Sequence, residues 1–199
     1  MKEKISIDER YFKKDEIRTN TKPYEAYYNC LSSTFNLNEI KSICDAGCAN
    51  GPLMYEIKKN NNNIELLGIE YFQWQKDASD ELIKKDIVVH DLRDEFVTNK
   101  KYDIVNCTET GEHIDPSYAG VCGKYLIISW SDTGGINDVE HDEHVQHLNP
   151  LNNNQVNELL TKHGFRKNNE LTNKFVNYSI GNNDFNFWWR KSLGVWEMG

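Results

Sequence analysis

The chain has 199 residues, of which 38% are hydrophobic and 12% aromatic. That length suits one domain able to fold without disulfides, and the composition is too apolar for a disordered chain. A net charge of −8 argues against generic binding to nucleic acid or to an anionic membrane, both of which need a basic face.

Residues 1–22 are polar and charged and read as an N-terminal arm, leaving 23–199 as the folded domain. Met1 to Arg10 alternates charge without an apolar core, so no signal peptide is expected. No apolar run approaches the roughly 18 residues of a membrane span. The spacing of Tyr24, Tyr27, Tyr28 and Leu31 predicts a helix from Pro23 to Phe35. Ile40 to Cys44 reads as a strand, followed at once by a turn with Gly47, Asn50 and Gly51. Pro52 suits the first position of a short helix through Ile57. Further strands are expected at Ile64 to Glu70, Ile87 to His90, Tyr102 to Cys107 and Lys124 to Trp130, with a helical or mixed stretch from Trp74 to Lys84. A polar loop from Ser131 to Pro150 leads to a helix from Leu151 to His163, with Gly164 as its cap. Beyond it lie a helix near Leu171 to Tyr178 and a last strand around Ser192 to Met198. Strands alternating with helices indicate a doubly wound α/β fold. Five cysteines (Cys30, Cys44, Cys48, Cys107 and Cys122), an odd number with no CxxC pair, read as reduced thiols of a cytoplasmic protein.

The turn after the first strand reads Asp45-Ala46-Gly47-Cys48-Ala49-Asn50-Gly51-Pro52. Glycines there let a ligand approach the backbone, and the helix that follows offers unpaired N–H groups. It is neither a GxxxxGK[ST] phosphate loop nor a full GxGxxG. A carboxylate at the strand end repels phosphate and favours an amine or hydroxyls. The second strand ends in Glu70, where nucleotide-binding α/β folds place the acid that holds ribose hydroxyls. The third is closed by Asp91-Leu92, so three successive strands carry acids to one sheet edge.

On these residues the chain resembles the class I S-adenosylmethionine-dependent methyltransferases over Pro23 to Met198. Asp45 to Gly51 is similar to their D/E-x-G-x-G-x-G motif, with Ala49 and Asn50 departing from it. The resemblance implies a Rossmann-like, doubly wound seven-stranded sheet, mostly parallel with an antiparallel last strand. It implies S-adenosylmethionine as cofactor, held by Asp45, Gly47, Cys48, Asn50, Gly51, Glu70, Tyr71, Asp91, Leu92 and Thr108. Gly47, Asn50 and Gly51 would lie beside the methionine part, Glu70 on the ribose hydroxyls, Asp91 on the adenine amine and Leu92 near the ring. A fourth motif would run from Asp103 to Glu109.

Glu109, Glu112 and His113 are spaced i, i+3 and i+4, which places them on one side of a helical turn. Two carboxylates and an imidazole that converge form a divalent-cation arrangement, although acids opening a helix beside a solvated histidine have the same spacing. The pattern resembles the metal motif of small-RNA 2′-O-methyltransferases and of the O-methyltransferases of ubiquinone synthesis. By that resemblance His147 completes the set Glu109, Glu112, His113 and His147, with His144 in reserve. The segment from Trp130 to Asn149 also resembles glycan-modifying methyltransferases of large DNA viruses and bacteria. The expected activity is O-methyl transfer assisted by Mg²⁺ or Mn²⁺, which imidazole and carboxylate ligands both allow. The expected acceptor is a sugar or glycan with vicinal hydroxyls, and His113, His144 and Asp132 are the candidate catalytic side chains. RNA 2′-O-methylation shares the metal motif but fits the acidic charge poorly. Methylation of a catechol or quinone precursor would want an apolar pocket, which Tyr24, Tyr28, Trp74 and Trp130 offer. Trp130 is also a candidate platform for a sugar ring.

Overall fold

In the computed structural model, residues 21–94, 96, 98–111, 122–130, 151–180 and 192–199 are described. Helix α1 (Lys22–Thr34) starts with a proline in its first turn and buries Ala26, Tyr27, Cys30 and Leu31. Strand β1 (Ser42–Ala46) is buried along its whole length, as a central strand covered on both faces must be. Gly51 adopts φ 77° and caps α2 (Pro52–Asn60), with Pro52 opening the helix. Strand β2 (Glu65–Glu70) leads to the short α3 (Gln73–Asp77), a 3-10 turn (Lys84–Asp86) and β3 (Ile87–Val89). Then come β4 (Tyr102–Cys107), β5 (Cys122–Ile128), α4 (Asn153–Lys162), β6 (Phe165–Lys167), α5 (Asn169–Ile180) and β7 (Gly194–Met198).

The seven strands form one sheet in the order β3-β2-β1-β4-β5-β7-β6. Strands β1 to β5 pair in parallel, and β7 runs antiparallel to both β5 and β6. This is the expected Rossmann-like sheet. Alternation along the strands builds two cores. Ile43, Ile104, Ile127 and Val195 pack with residues of α1, α2 and α5. Cys44, Val105, Leu126, Ile128 and Trp196 pack with Val156 and Leu160 of α4. Each fully buried aliphatic side chain of this kind contributes about 1.5–3 kcal/mol.

Several boundaries differ from expectation. β1 lies two residues later than the apolar run Ile40 to Cys44, so Asp45 is inside the strand. The Trp74 to Lys84 stretch folds as α3, a turn and the 3-10 segment. β6 is an addition: three residues, one buried, give too short an alternation to read. Gly164 closes α4 at φ 85°, as predicted. Cys30, Cys44, Cys48 and Cys107 are free and buried. Among the described residues no helix is long and apolar enough to cross a membrane.

Candidate functional site

The strand order reverses between β1 and β4, and in open α/β sheets ligands bind beyond the carboxyl ends of the strands at such a point. Asp45 pairs with Asn106 across this boundary. Glu70 ends β2, and Asp91 follows β3 by two residues. The topology therefore brings the three sequence-predicted acids to one sheet edge. Like charges so gathered need separate compensation, and each carboxylate receives different donors. Asp45 accepts from the Asn106 side-chain amide at 2.7 Å. Glu70, only 7% exposed, accepts from the backbone N–H of Ala49 at 3.0 Å and of Phe72 at 2.9 Å. Asp91 is gripped by the Arg93 guanidinium, with Nε and a terminal nitrogen each at 2.8 Å. Arg93 also lies over the Tyr71 ring, 5.4 Å from its centroid, and Asp91 holds its pKa above the usual value.

The Gly-rich turn owes its shape to left-handed backbone. Gly47 has φ 79°, Ala49 φ 52° and Gly51 φ 77°. Gly47 and Cys48 both donate backbone N–H groups to Ile69 O, at 2.8 and 3.1 Å, which anchors the turn to β2. A Cβ on Gly47 would overlap Thr110, which follows β4. Ala49 stands where the resembled motif has glycine and takes a glycine-like conformation, so its methyl group carries backbone strain.

Cys48 contributes main chain rather than side chain to the edge. Its thiol lies against Gly68, where an added Cβ would come within 2.7 Å of it. Burial first, then the charges of Asp45 and Glu70, push that thiol well above its ordinary pKa and keep it protonated. Leu92 is buried in the core beside Cys44 and Ala46, whereas Tyr71 is exposed and meets Phe72 edge-on at 4.7 Å. Asn50 sits in the turn that Gly51 closes onto Cys48 O. Thr108 Oγ1 lies 3.4 Å from Asn106 Nδ2. Asp103 stands at the opposite end of β4, where it accepts from the backbone N–H of Lys41 and Ser42 and ties β1 to β4.

Of the candidate metal and catalytic residues, Glu109 alone is described. Glu112, His113, Asp132, His144 and His147 lie outside the described residues, as does nearly all of the 1–22 arm. Glu109 takes φ 56°. Its N–H donates to Ser129 Oγ at 2.9 Å, and that hydroxyl donates back to Glu109 Oε1 at 2.9 Å. A hard carboxylate oxygen at this edge suits Mg²⁺ or Mn²⁺, but no group of three or more His, Cys, Asp or Glu side chains converges among the described residues.

Trp130 does not present the platform expected of it. It is 1% exposed, and its ring packs so closely on Gly111 that an added Cβ would sit 2.6 Å away. Tyr24 and Tyr28 pack partly buried against the α1 core. The structure adds residues that the sequence reading did not select: Tyr27, Arg93, Asn106, Thr110 and Ser129. Asn106 carried a weak signal, being with Asp103 one of two strongly polar residues in Tyr102–Cys107.

No protein-family model and no curated protein matches the chain. Solved structures do. The plantazolicin methyltransferase BpumL, in complex with a pentazolic desmethylPZN analogue and SAH, superposes with a TM-score of 0.61 at 15% identity, over 96% of this chain and 89% of that one. A SAM-dependent methyltransferase from Aquifex aeolicus gives 0.58 at 15% identity, over 97% and 99%. The O-methyltransferase segment of StiE gives 0.52 at 14% identity, over 87% and 71%. The architecture of this chain is thus the one shared by S-adenosylmethionine-dependent methyltransferases.

Proposed function

We propose that the protein is an S-adenosylmethionine-dependent O-methyltransferase acting on a hydroxyl of a sugar or glycan, with a divalent cation assisting. The carrying observation is the pair Asp45 and Glu70 flanking a left-handed Gly47–Gly51 turn beside the β1/β4 reversal. An acid fixed by two backbone N–H groups is preorganised to accept the two hydroxyls of a ribose, since a carboxylate offers about four acceptor sites. Asp45 supplies negative charge for the ammonium of an amino-acid moiety, and the turn lets a thioether chain pass close to the backbone. Bound there, S-adenosylmethionine supplies a sulfonium methyl group, with sulfur keeping the electron pair of the broken bond. A cation on Glu109, Glu112, His113 and His147 would lower the pKa of the acceptor hydroxyl. The hydroxyl proton would go to His144 as neutral imidazole, or to His113 where no metal binds, and Asp132 is the further candidate catalytic side chain. The plantazolicin and StiE enzymes share the fold, but a fold does not specify an acceptor. The sugar reading rests on the resemblance of Trp130 to Asn149 and on the acidic charge.

Calorimetric titration with S-adenosylhomocysteine tests the cofactor. Binding at micromolar or tighter Kd is expected, and no binding would sink the methyltransferase reading. Methyl transfer to a panel of sugars, catechols and short RNAs, with EDTA and with Mg²⁺ or Mn²⁺ restored, tests the rest. Transfer to RNA or catechol alone would overturn the sugar acceptor, and full activity in EDTA would overturn the metal.

A further inference from the structure

A chain of side chains reaches Asp45 from α1. The register places Asp45 opposite Asn106. Both share the strand face of Ile43 and Ile104, the face that α1 covers. Tyr27 of α1 donates its hydroxyl to Asn106 Oδ1 at 2.5 Å. Asn106 Nδ2 then donates to Asp45 Oδ1 at 2.7 Å and lies 3.4 Å from Thr108 Oγ1. All three members are nearly inaccessible: Tyr27 and Asn106 are 3% exposed and Asp45 is 5%.

The order of donors follows from chemistry. A carboxylate only accepts, so Asn106 must turn its NH₂ toward Asp45, and its oxygen then needs a donor from the other side. Tyr27 is that donor. The reversed amide would set its oxygen against the carboxylate, two acceptors facing each other with no proton between them. Burial and the nearby Asp45 charge keep the phenol protonated, its pKa well above the ordinary tyrosine range.

We propose that Tyr27, acting through Asn106, is a positioning residue that fixes the Asp45 carboxylate toward the amino-acid end of the cofactor. This rests on the cofactor reading of Asp45 given above. The Tyr27 ring is itself packed edge-on against Phe175 of α5, 5.2 Å between centroids.

The test compares two ligands by calorimetry. S-adenosylhomocysteine carries the amino-acid moiety, and 5′-methylthioadenosine has the same nucleoside and a thioether without it. Tyr27→Phe removes one hydroxyl. It should weaken S-adenosylhomocysteine by up to about tenfold, the upper end for a lost hydrogen bond between neutral groups, while leaving methylthioadenosine nearly unchanged. Asn106→Leu should show the same selective loss and decides the matter if Tyr27→Phe does not fold. Phe175→Leu loosens the packing but spares the hydroxyl, so it should lower Tm and leave the ratio of the two affinities alone. Equal weakening of both ligands by Tyr27→Phe, no weakening, or a shifted ratio in Phe175→Leu would overturn the relay. A wild-type protein that binds neither ligand would instead overturn the cofactor reading beneath it.

Discussion

Glu70→Gln separates the two duties of the acid that ends β2. In the native protein one carboxylate oxygen accepts Phe72 N–H at 2.9 Å and the other accepts Ala49 N–H at 3.0 Å. Glutamine keeps one acceptor and must turn its NH₂ toward the second backbone N–H, donor against donor. A hydrogen bond to a charged group is worth about 1.5–3 kcal/mol, and an unsatisfied buried donor costs a similar amount. Removing a buried charge returns part of this, so a net destabilisation of about 2 kcal/mol is expected. For a domain of this length that is a Tm loss of roughly 4–8 °C by calorimetry. The Gly-rich turn and the chain after β2 should loosen together, because one side chain ties both. On the proposed function the same substitution should weaken S-adenosylhomocysteine at least about tenfold. It should also erase any preference for adenosine over 2′-deoxyadenosine. A Tm within about 1 °C of wild type, with that preference intact, would refute both the anchoring and the ribose assignment. A lowered Tm with unchanged ligand preference would leave the anchoring and remove the ribose.

Ala49→Gly should raise stability by about 1 kcal/mol, because φ 52° strains any residue with a Cβ; a lower Tm would show that the methyl group packs favourably. Gly51→Ala should cost about 2–4 kcal/mol by urea unfolding, since the new methyl combines left-handed strain with overlap of Ile83 and a 3.1 Å approach to Ile87. Stability should also fall in alkali. Cys48 and Tyr27 both have raised pKa values in the folded chain, so the folded state keeps protons that the unfolded state releases. Their contribution is complete below the unfolded values of about 8.5 and 10. Above them it declines at up to about 1.36 kcal/mol per pH unit for each group. Cys48→Ala should make this loss shallower above about pH 8.5, as read from urea midpoints across pH; an unchanged slope would remove Cys48 from the account.

The parts of the fold legible in the sequence are those where local pattern and tertiary role coincide. Pro52 after Gly51 and Gly164 after α4 each announce a helix end through their own chemistry, whereas the Asn152–Gln155 capping box that starts α4 was not read. The apolar runs of β4 and β5 are long enough to show alternation or full burial. The acids Asp45, Glu70 and Asp91 were legible as a set because each lies within two residues of a strand's carboxyl end, and parallel pairing sends those ends to one edge. β6 was not legible: with two of its three residues exposed, its strand character comes from pairing with β7 and not from its own composition.

The site was less legible than the fold, and for a physical reason. What a sequence shows of Tyr27 is one member of an aromatic stripe at helical spacing, and the ring does pack in the core as that spacing implies. The hydroxyl at its tip acts on a residue 79 positions away, and nothing local encodes that reach. Asn106 was not singled out: a buried amide needs partners, but its burial and its partners are fixed by the β1–β4 register. The same register explains why two acids near strand ends, Asp45 and Asp103, do opposite things. Each receives donors across the β1–β4 boundary, but Asp45 does so at the carboxyl edge, where the strand order reverses and open α/β sheets bind ligands. Asp103 does so at the amino end, where its oxygen holds the backbone of Lys41 and Ser42. Charge alone therefore does not mark a functional carboxylate in this fold. Position along the strand, together with the donor that faces it, separates the two, and on the proposed function the Asn106 amide is what singles out Asp45.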